Sequence, residues 1–338
     1  MSELRQNFLT GNWAVIAPER GEKPRALAPP TTMSLENHPE YTPSCPFCPD
    51  NEEKFPLEVI DTCGASPDKW ITKIINNKYK LFDDLPTCPI GPEPFKKSGI
   101  YSYYQGCGNH YLVIESRIHN RPMGAMSQEE ICNTLNSYLK ISRLFRENPN
   151  NLVTIVFKNQ GTSAGASQTH AHSQIVGSRI VPALIRNAMH VQDKIFDDNG
   201  TCALCTILDH ELHLKERVGF ETEHSAVLSP YAASAPYEIW IVPKRHFACY
   251  EDILDVELTD IAIALKRVLS AYIAKLNNPD FNYFFHSAPH PLSHVPFYHM
   301  YVQILPRLTI AGGFEAGTRI PVNTVWPEAV PEFLFDGK

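Results

Sequence analysis

The same series of elements occurs twice along this chain, and this repeat restricts the possible folds more than any other sequence feature. In each copy an apolar strand runs toward a histidine, a helical pattern follows, and two further strands come after it. The first helical pattern opens with the capping box Ser127-Gln-Glu-Glu130, and each one stops at a proline. The predicted elements lie at 111–119, 127–148, 152–157 and 169–175 in the first copy, and at 237–246, 258–278, 281–285 and 298–304 in the second.

The repeat predicts an α+β fold in which a duplicated unit combines antiparallel sheet with packed helices. At 338 residues the chain is long enough for two such units. We expect their boundary near 178–200, where 181–198 has a helical pattern and Asp197-Asp-Asn-Gly200 is typical of a turn. The predicted domains are therefore 1–180, which carries the catalytic motif, and 181–338, which is degenerate and structural.

A Cys-x-x-Cys pair stands upstream of the helix in each copy, and each pair is matched by two histidines. Zinc prefers four tetrahedral nitrogen and sulfur ligands, and a two-residue gap lets two cysteines bind one ion. Redox chemistry is less favoured because no thioredoxin-like pattern surrounds either pair; the alternative is buried thiols beside unrelated histidines. The two predicted zinc sites are Cys45, Cys48, His119 and His170, and Cys202, Cys205, His246 and His299.

A loop of small residues ending in Gly165-Ala-Ser167 precedes the segment that points most strongly to catalysis. In that segment His170, His172 and Gln174 alternate, so on a strand their side chains project from one face. If His170 binds metal, His172 is left to attack phosphorus and form a covalent intermediate. Gln174, the Ser167 hydroxyl and the backbone amides of 165–167 can bind the phosphate charge.

The second copy lacks this motif, since Tyr301 stands where His172 stands in the first copy. The small-residue loop is likewise replaced, by Ser287-Ala-Pro-His-Pro-Leu-Ser-His294. This asymmetry predicts one active half and one that keeps its metal site but has lost the chemistry.

Composition limits the kind of partner that the chain binds. The net charge of −7 argues against a general nucleic-acid surface. The start of the chain lacks the basic and apolar parts of a signal peptide, and no apolar run is long enough to span a membrane. We therefore expect a cytoplasmic protein whose nine cysteines are metal ligands or buried thiols before disulfides.

Together these motifs resemble the galactose-1-phosphate uridylyltransferase family of the histidine-triad superfamily. The resemblance implies a duplicated histidine-triad-like fold, usually paired as a homodimer, and ping-pong transfer of a nucleotidyl group through His172. It also implies that Gln174 and Ser167 contact the α-phosphate. The other residues implied by position are Asn159 near the nucleotide, Asn77 at the base and ribose, and Glu315 at the sugar. The matching segments are Leu9-Thr-Gly-Asn-Trp13, Cys45-Pro-Phe-Cys-Pro-Asp-Asn51, Asn159-Gln-Gly161, Ala164-Gly-Ala-Ser-Gln-Thr-His-Ala-His-Ser-Gln174, Ile304-Leu-Pro-Arg-Leu308 and Gly313-Phe-Glu315.

Three functions stay open. The first is transfer of UMP between UDP-glucose and a hexose 1-phosphate. The second is phosphorolysis of an ADP-sugar or another NDP-sugar, because the second Cys-x-x-Cys resembles the subgroup that includes ADP-glucose phosphorylase. The family's sugar-binding glutamine also has no counterpart in 316–321. The third is a zinc-stabilised nucleotide-binding protein without turnover, in which His172 would be idle.

Overall fold

The structure is a computed structural model that describes residues 1–22, 39–64, 66, 69–83, 96–103 and 105–335. Ten strands of this part of the chain form one antiparallel sheet. In order across the sheet they are β10 (Val218–Glu221), β11 (Ser225–Leu228), β12 (Ile239–Pro243), β14 (Tyr301–Pro306), β13 (Phe281–His286), β8 (Val153–Gln160), β9 (His172–Ser178), β7 (Gly108–Ile114), β4 (Trp70–Asn76) and β3 (Val59–Gly64).

The order of the strands shows the duplication directly. From one edge to the centre the strands run β3, β4, β7, β9, β8, and from the other edge β10, β11, β12, β14, β13. The halves meet where β8 pairs with β13, with Asn159 opposite Asn282. The predicted α+β fold with its repeated antiparallel unit is confirmed. Because the halves share one continuous sheet, the domain limits at 1–180 and 181–338 stay a prediction.

The two long helices pack against one face of this sheet, and the predicted capping box is confirmed at the start of the first of them. The Ser127 hydroxyl accepts from the Glu130 amide at 3.1 Å, and the Glu130 carboxylate accepts from the Ser127 amide at 2.7 Å. The largest apolar core packs the two long helices against both halves of the sheet. The helices are α1 (Gln128–Glu147), α2 (Ala183–Asn199), α3 (Ala203–Leu214), α4 (Asp255–Leu276), α5 (Gly313–Thr318) and α6 (Val330–Phe335).

The strand β9 presents His172 and Gln174 to the face opposite α1. Tyr138 of α1 donates a hydrogen bond to the Ser173 hydroxyl at 2.5 Å, so Ser173 lies on the helix side. Successive side chains of a strand point to opposite faces. His172 and Gln174 therefore project from the other face, as the alternation predicted.

The strand limits differ from the prediction at the metal-ligating histidines. β7 ends at Ile114 and β12 at Pro243, so His119 and His246 lie in the segments that follow these strands. β9 begins at His172, although the Glu115 amide still donates to Ala171 O at 3.1 Å. The ligands thus come from strand ends and loops, where the backbone is free to turn toward the paired cysteines.

A smaller sheet joins the two ends of the described chain and contains β1 (Glu3–Gln6), β2 (Trp13–Ile16) and β15 (Val322–Asn323), while β5 (Lys96–Ser98) and β6 (Tyr101–Tyr103) form a hairpin. Arg5 and Arg217 each bind the Glu328 carboxylate at 2.8 Å.

Cys107 forms a disulfide, whereas we expected the cysteines to be metal ligands or buried thiols. In the residues that the structure describes, no helix is both long and apolar enough to cross a membrane.

Candidate active site

The four residues of the first predicted metal site lie together and are buried, with their ligand atoms within 4.8 Å of one another. The Cys48 sulfur is 3.5 Å from His119 Nδ1 and 3.6 Å from His170 Nδ1, and the Cys45 sulfur is 3.6 Å from His170 Nδ1. A tetrahedral zinc ion with ordinary bond lengths separates sulfur and nitrogen ligands by about 3.6 Å. The cluster therefore has the donor types and the spacing of a metal site.

The tautomer of His170 also suits a metal ligand. Its Nε2 lies 2.7 Å from the Ser116 carbonyl oxygen, which accepts only, so Nε2 carries the proton. Burial lowers the pKa of His170 to about 4, so the ring is neutral at pH 7. Its Nδ1 lone pair is thus directed at the two thiols. A backbone carbonyl on the remote ring nitrogen is a common second partner of metal-bound histidine.

The second predicted metal site is also assembled. The Cys205 sulfur lies 3.4 Å from both His246 Nδ1 and His299 Nδ1. The ligand atoms of these three residues and Cys202 are again within 4.8 Å of one another. The chain thus has two Cys₂His₂ clusters that could bind metal ions.

The ring of His172 is oriented by the backbone carbonyl two residues before it. Its Nδ1 lies 2.9 Å from His170 O, which makes Nδ1 the protonated nitrogen. Burial lowers the pKa of His172, so the imidazole is neutral and Nε2 carries a lone pair. The Phe47 ring, 5.4 Å from the imidazole, restricts it on one side. This tautomer is the one that can attack phosphorus through Nε2.

A buried ion pair supports the backbone of His172, and no sequence pattern indicated this pair. Lys158 Nζ donates to Glu115 Oε2 at 2.6 Å and to His172 O at 3.1 Å. The two side chains are 1% and 0% exposed. The Tyr138 hydroxyl lies 3.4 Å from the other Glu115 oxygen and contacts the Tyr283 hydroxyl. These polar groups hold β9 in a fixed position against α1.

We expect Glu115→Gln to destabilise the fold by about 3–5 kcal/mol, because it leaves the Lys158 ammonium buried without a counter-charge. The midpoint of urea unfolding measures this loss. As a control, Asp61→Asn breaks the exposed pair with Lys140 and should cost less than about 1 kcal/mol. Equal costs for the two variants would show that burial does not determine the strength of the Glu115 pair.

His110 orients Gln174, and sequence reasoning missed it although it directly precedes the predicted strand. The Leu81 amide donates to His110 Nδ1 at 3.2 Å, so the ring proton is on Nε2. Nε2 then donates to Gln174 Oε1 at 2.8 Å. The amide nitrogen of Gln174 therefore points away from His110. In this orientation it can donate a hydrogen bond to a phosphate oxygen. The Asn77 backbone amide donates to His110 O at 3.0 Å, which places Asn77 beside the residue that orients Gln174.

The small-residue loop has a shape that needs glycine. Gly161 and Gly165 have φ of 82° and 86°, and a Cβ on Gly161 would lie 1.7 Å from Asp280 Oδ1. The Ser163 amide donates to Asp280 Oδ2 at 2.7 Å. An aspartate of the second half thus fixes the loop of the first.

Two of the three loop amides suggested for anion binding are used inside the loop itself. Gly165 donates to Thr162 O at 3.0 Å, and Ala166 donates to Gly161 O at 3.1 Å. The Ser167 hydroxyl makes no hydrogen bond within the described part of the chain, and its side chain is exposed. The sequence pattern predicted an anion-binding loop but could not show which of its amides are already used in hydrogen bonds within the loop.

Of the remaining candidate residues that the structure describes, Asn159 lies beside His172 and Glu315 does not contact it. Asn159 and His172 line one small cavity with Gly161 and Thr169. Glu315 instead accepts from the Gly312 amide at 3.0 Å at the start of α5. None of the contacts between described residues joins Glu315 to His172, so its role at the sugar stays a prediction.

The second copy keeps a glutamine but engages both ends of its amide. Gln303 Oε1 lies 2.8 Å from His286 Nε2, and Gln303 Nε2 donates to the buried Glu238 carboxylate at 2.6 Å. Tyr301 stacks on His286 with ring centroids 4.3 Å apart. Glu238 stands relative to Gln303 where His110 stands relative to Gln174. The second copy therefore has no outward amide donor at this position.

We expect Tyr301→Phe to change turnover by no more than about 3-fold, because the ring stacking remains and the lost hydroxyl is remote from His172. Tyr138→Phe is the matched control, since its hydroxyl bonds Ser173 and Tyr283. It should cost about 1–3 kcal/mol of stability. A loss of roughly 10²-fold in turnover from Tyr301→Phe in a folded protein would instead assign the second copy a part in the chemistry.

Comparisons with known proteins agree with this geometry. Residues 1–182 match the family model "Galactose-1-phosphate uridyl transferase, N-terminal domain", and 188–321 match the corresponding C-terminal domain. An ADP-glucose phosphorylase of Arabidopsis thaliana is 33% identical, covering 98% of this chain and 92% of the relative. A galactose-1-phosphate uridylyltransferase of Thermotoga maritima is 27% identical, covering 97% and 96%.

Solved structures show the same relationship. The crystal structure of an ADP-glucose phosphorylase from Arabidopsis thaliana with bound ADP-glucose superposes with a TM-score of 0.84 at 28% identity, covering 100% of this chain and 99% of that one. A uridylyltransferase structure gives a TM-score of 0.73 at 23% identity, covering 99% and 98%, and so shows the shared fold. The chain belongs to the galactose-1-phosphate uridylyltransferase family and is a nucleotidyltransferase.

Proposed function

We propose that this enzyme transfers a nucleoside monophosphate from a nucleotide sugar to an acceptor through a covalent intermediate on His172. The observation that carries the proposal is the hydrogen bond from His172 Nδ1 to His170 O at 2.9 Å. It leaves Nε2 as the unprotonated nitrogen on the face that carries Gln174.

The reaction has two displacements at the α-phosphorus. Nε2 attacks this phosphorus, the bond to the bridging oxygen breaks, and the sugar 1-phosphate leaves with the electron pair. Nδ1 keeps its proton, and the His170 carbonyl stabilises the positive charge that develops on the ring. An oxygen of the acceptor phosphate then attacks the same phosphorus, the phosphorus–nitrogen bond breaks, and neutral His172 is restored.

The other site residues bind the substrate in this scheme. The outward amide of Gln174 and the Ser167 hydroxyl donate to the α-phosphate as its charge develops. Asn159 and the loop around Gly165 contact the nucleotide, and Asn77 contacts its base and ribose. Glu315 binds the sugar, a role that rests on its position in the family pattern.

The leading substrate pair is an ADP-sugar with inorganic phosphate. Support comes from the higher identity to an ADP-glucose phosphorylase, 33% against 27% for the bacterial uridylyltransferase, and from a structural neighbour that binds ADP-glucose. The second Cys₂His₂ cluster, typical of that subgroup, points the same way. UMP transfer between UDP-glucose and a hexose 1-phosphate is the second candidate, supported by the uridylyltransferases among the relatives.

Both clusters fit zinc, and we infer one ion in each. When bound, each zinc would serve the structure, the first held by Cys45, Cys48, His119 and His170 and the second by Cys202, Cys205, His246 and His299. We also infer a cytoplasmic homodimer, because a reducing compartment keeps the cluster thiols available as metal ligands and the family usually forms dimers, although this compartment does not explain the disulfide at Cys107.

A donor and acceptor panel tests the proposal. The purified protein is incubated with ADP-glucose, UDP-glucose and GDP-glucose, each with phosphate, glucose 1-phosphate or galactose 1-phosphate. We expect the fastest turnover with ADP-glucose and phosphate. Faster turnover with UDP-glucose and galactose 1-phosphate would select the second candidate. Binding of a nucleotide without turnover in any combination would make the chain a zinc-stabilised binding protein.

A further inference from the structure

Asn159 faces a residue of the second half across the centre of the sheet. Asn282 of β13 pairs with Asn159 of β8, and its Nδ2 donates to Asn159 Oδ1 at 2.7 Å. The same Nδ2 donates to the Ala164 carbonyl at 2.9 Å. On the other side, Arg307 Nε donates to Asn282 Oδ1 at 2.5 Å. The buried amide of Asn282 therefore joins the small-residue loop, Asn159 and the guanidinium of Arg307.

The partners leave one orientation for each amide. An arginine only donates and a carbonyl only accepts, so Asn282 presents Oδ1 to Arg307 and Nδ2 to Ala164. Asn159 must then accept with Oδ1, and its own Nδ2 is left as a donor. That nitrogen points toward the loop, 3.8 Å from where a Cβ on Gly165 would lie.

This polarity matters because a nucleotide offers acceptors to the site. Phosphate and ribose oxygens need a hydrogen-bond donor. If Asn159 presented Oδ1 to the nucleotide instead, the lone pairs of that oxygen would repel these oxygens. Asn282 is 3% exposed, and in such a low-dielectric setting a fixed amide resists reversal strongly.

We propose that Asn282, fixed by Arg307, is a positioning residue that turns the Asn159 amide nitrogen toward the nucleotide. The inference rests on the proposed function and extends it, since the degenerate half then sets the hydrogen-bonding polarity of the active half. Asn282 acts through Asn159 and contacts no reacting atom.

The test variant is Asn282→Asp, which keeps the size of the side chain and the acceptor for Arg307 but cannot donate to Asn159. We expect KM for the nucleotide sugar to rise about 10-fold with kcat changed less than about 3-fold, because the lost contact binds substrate and transition state alike. Arg307→Met, which frees Asn282 to reverse, should raise KM about 3-fold and serves if the first variant folds poorly.

Two comparisons separate positioning from other effects. Asn323→Asp changes a side chain that is 1% exposed and donates to Ala233 O at 3.3 Å in the small sheet. It should lower stability and leave KM unchanged. In an Asn159→Ala background, Asn282→Asp should have no further effect on KM. If the rise in KM came instead from repulsion between the new carboxylate and the substrate, it would persist in the Asn159→Ala background.

Each outcome decides the inference. It is overturned if Asn282→Asp keeps KM within 2-fold of an active wild type, or raises KM equally with and without Asn159. A wild type that transfers no nucleotide from any donor overturns the proposed function and this inference with it. The behaviour of the wild type therefore tells the two failures apart.

Discussion

His172→Asn will abolish nucleotidyl transfer while leaving a folded protein that still binds metal. Asparagine keeps a polar side chain of similar reach but has no lone pair able to attack phosphorus, so we expect turnover to fall on the order of 10⁴-fold or more. Incubating the wild type with ADP-glucose or UDP-glucose and no acceptor should add one nucleoside monophosphate to the peptide containing His172. This adduct should be acid-labile and relatively base-stable, and mass spectrometry should find none on the variant.

The matched control is His170→Asn, because this residue lies two positions away and belongs to the metal cluster. It should lose about one equivalent of metal and some stability, whereas His172→Asn should lose neither. Near-normal turnover by His172→Asn would end the covalent mechanism at this residue. An adduct on another residue would change the role assignment and keep the transferase class, and sequential kinetics without any adduct would indicate direct transfer.

Residues whose type and local spacing indicate a chemical role were predictable from the sequence. Two short motifs contain Cys45, Cys48, His170 and His172. The spacing in the first is that of two cysteines that bind one metal ion, and the spacing in the second places both histidines on one face of a strand. The repeat of strand, helix and two strands likewise predicted the α+β sheet, because periodicity and caps are local signals. Both metal clusters then assembled as predicted, even though their members are dispersed along the chain.

The residues that orient these groups were not predictable, because their partners meet only through the register of the sheet. Asn282 reaches Asn159 across 123 positions of sequence, and Lys158 reaches Glu115 across 43. Neither pair forms a motif, and an asparagine or lysine within a strand is unremarkable until its neighbour is known. His110 is similar, since its ring proton is assigned by the Leu81 amide from a separate segment. The sequence therefore indicates the candidate reacting groups, and the sheet determines their orientation.

Loss of metal from the first cluster will remove both stability and activity, whereas loss from the second will remove stability alone. The matched variants are Cys48→Ser and Cys205→Ser, because each sulfur contacts both histidines of its own cluster. Each variant should lose about one of two zinc equivalents. Because bound metal is coupled to folding, each should be destabilised by more than about 4 kcal/mol and lower Tm by roughly 10 °C.

Their activities should differ because the first cluster contains His170, whose carbonyl orients the proposed nucleophile His172. His170 directs Nδ1 into the first cluster while its carbonyl accepts from His172 Nδ1, so loss of a metal held there should loosen the orientation of His172. We expect Cys48→Ser to lower turnover by at least about 10²-fold below its unfolding temperature, and Cys205→Ser to change it by less than about 3-fold. Metal analysis, thermal unfolding and transfer assays on the same samples measure these differences.

Cys249→Ser controls for replacing a buried thiol, since Cys249 is fully buried and donates to Ala288 O at 3.2 Å outside both clusters. It should keep both equivalents of zinc and normal turnover. If the wild type contains no zinc and a chelator leaves its Tm unchanged, the metal assignment is wrong. If folded Cys205→Ser loses transfer as completely as Cys48→Ser, the second half takes a direct part in catalysis, and the asymmetry between Tyr301 and His172 no longer separates an active half from a structural one.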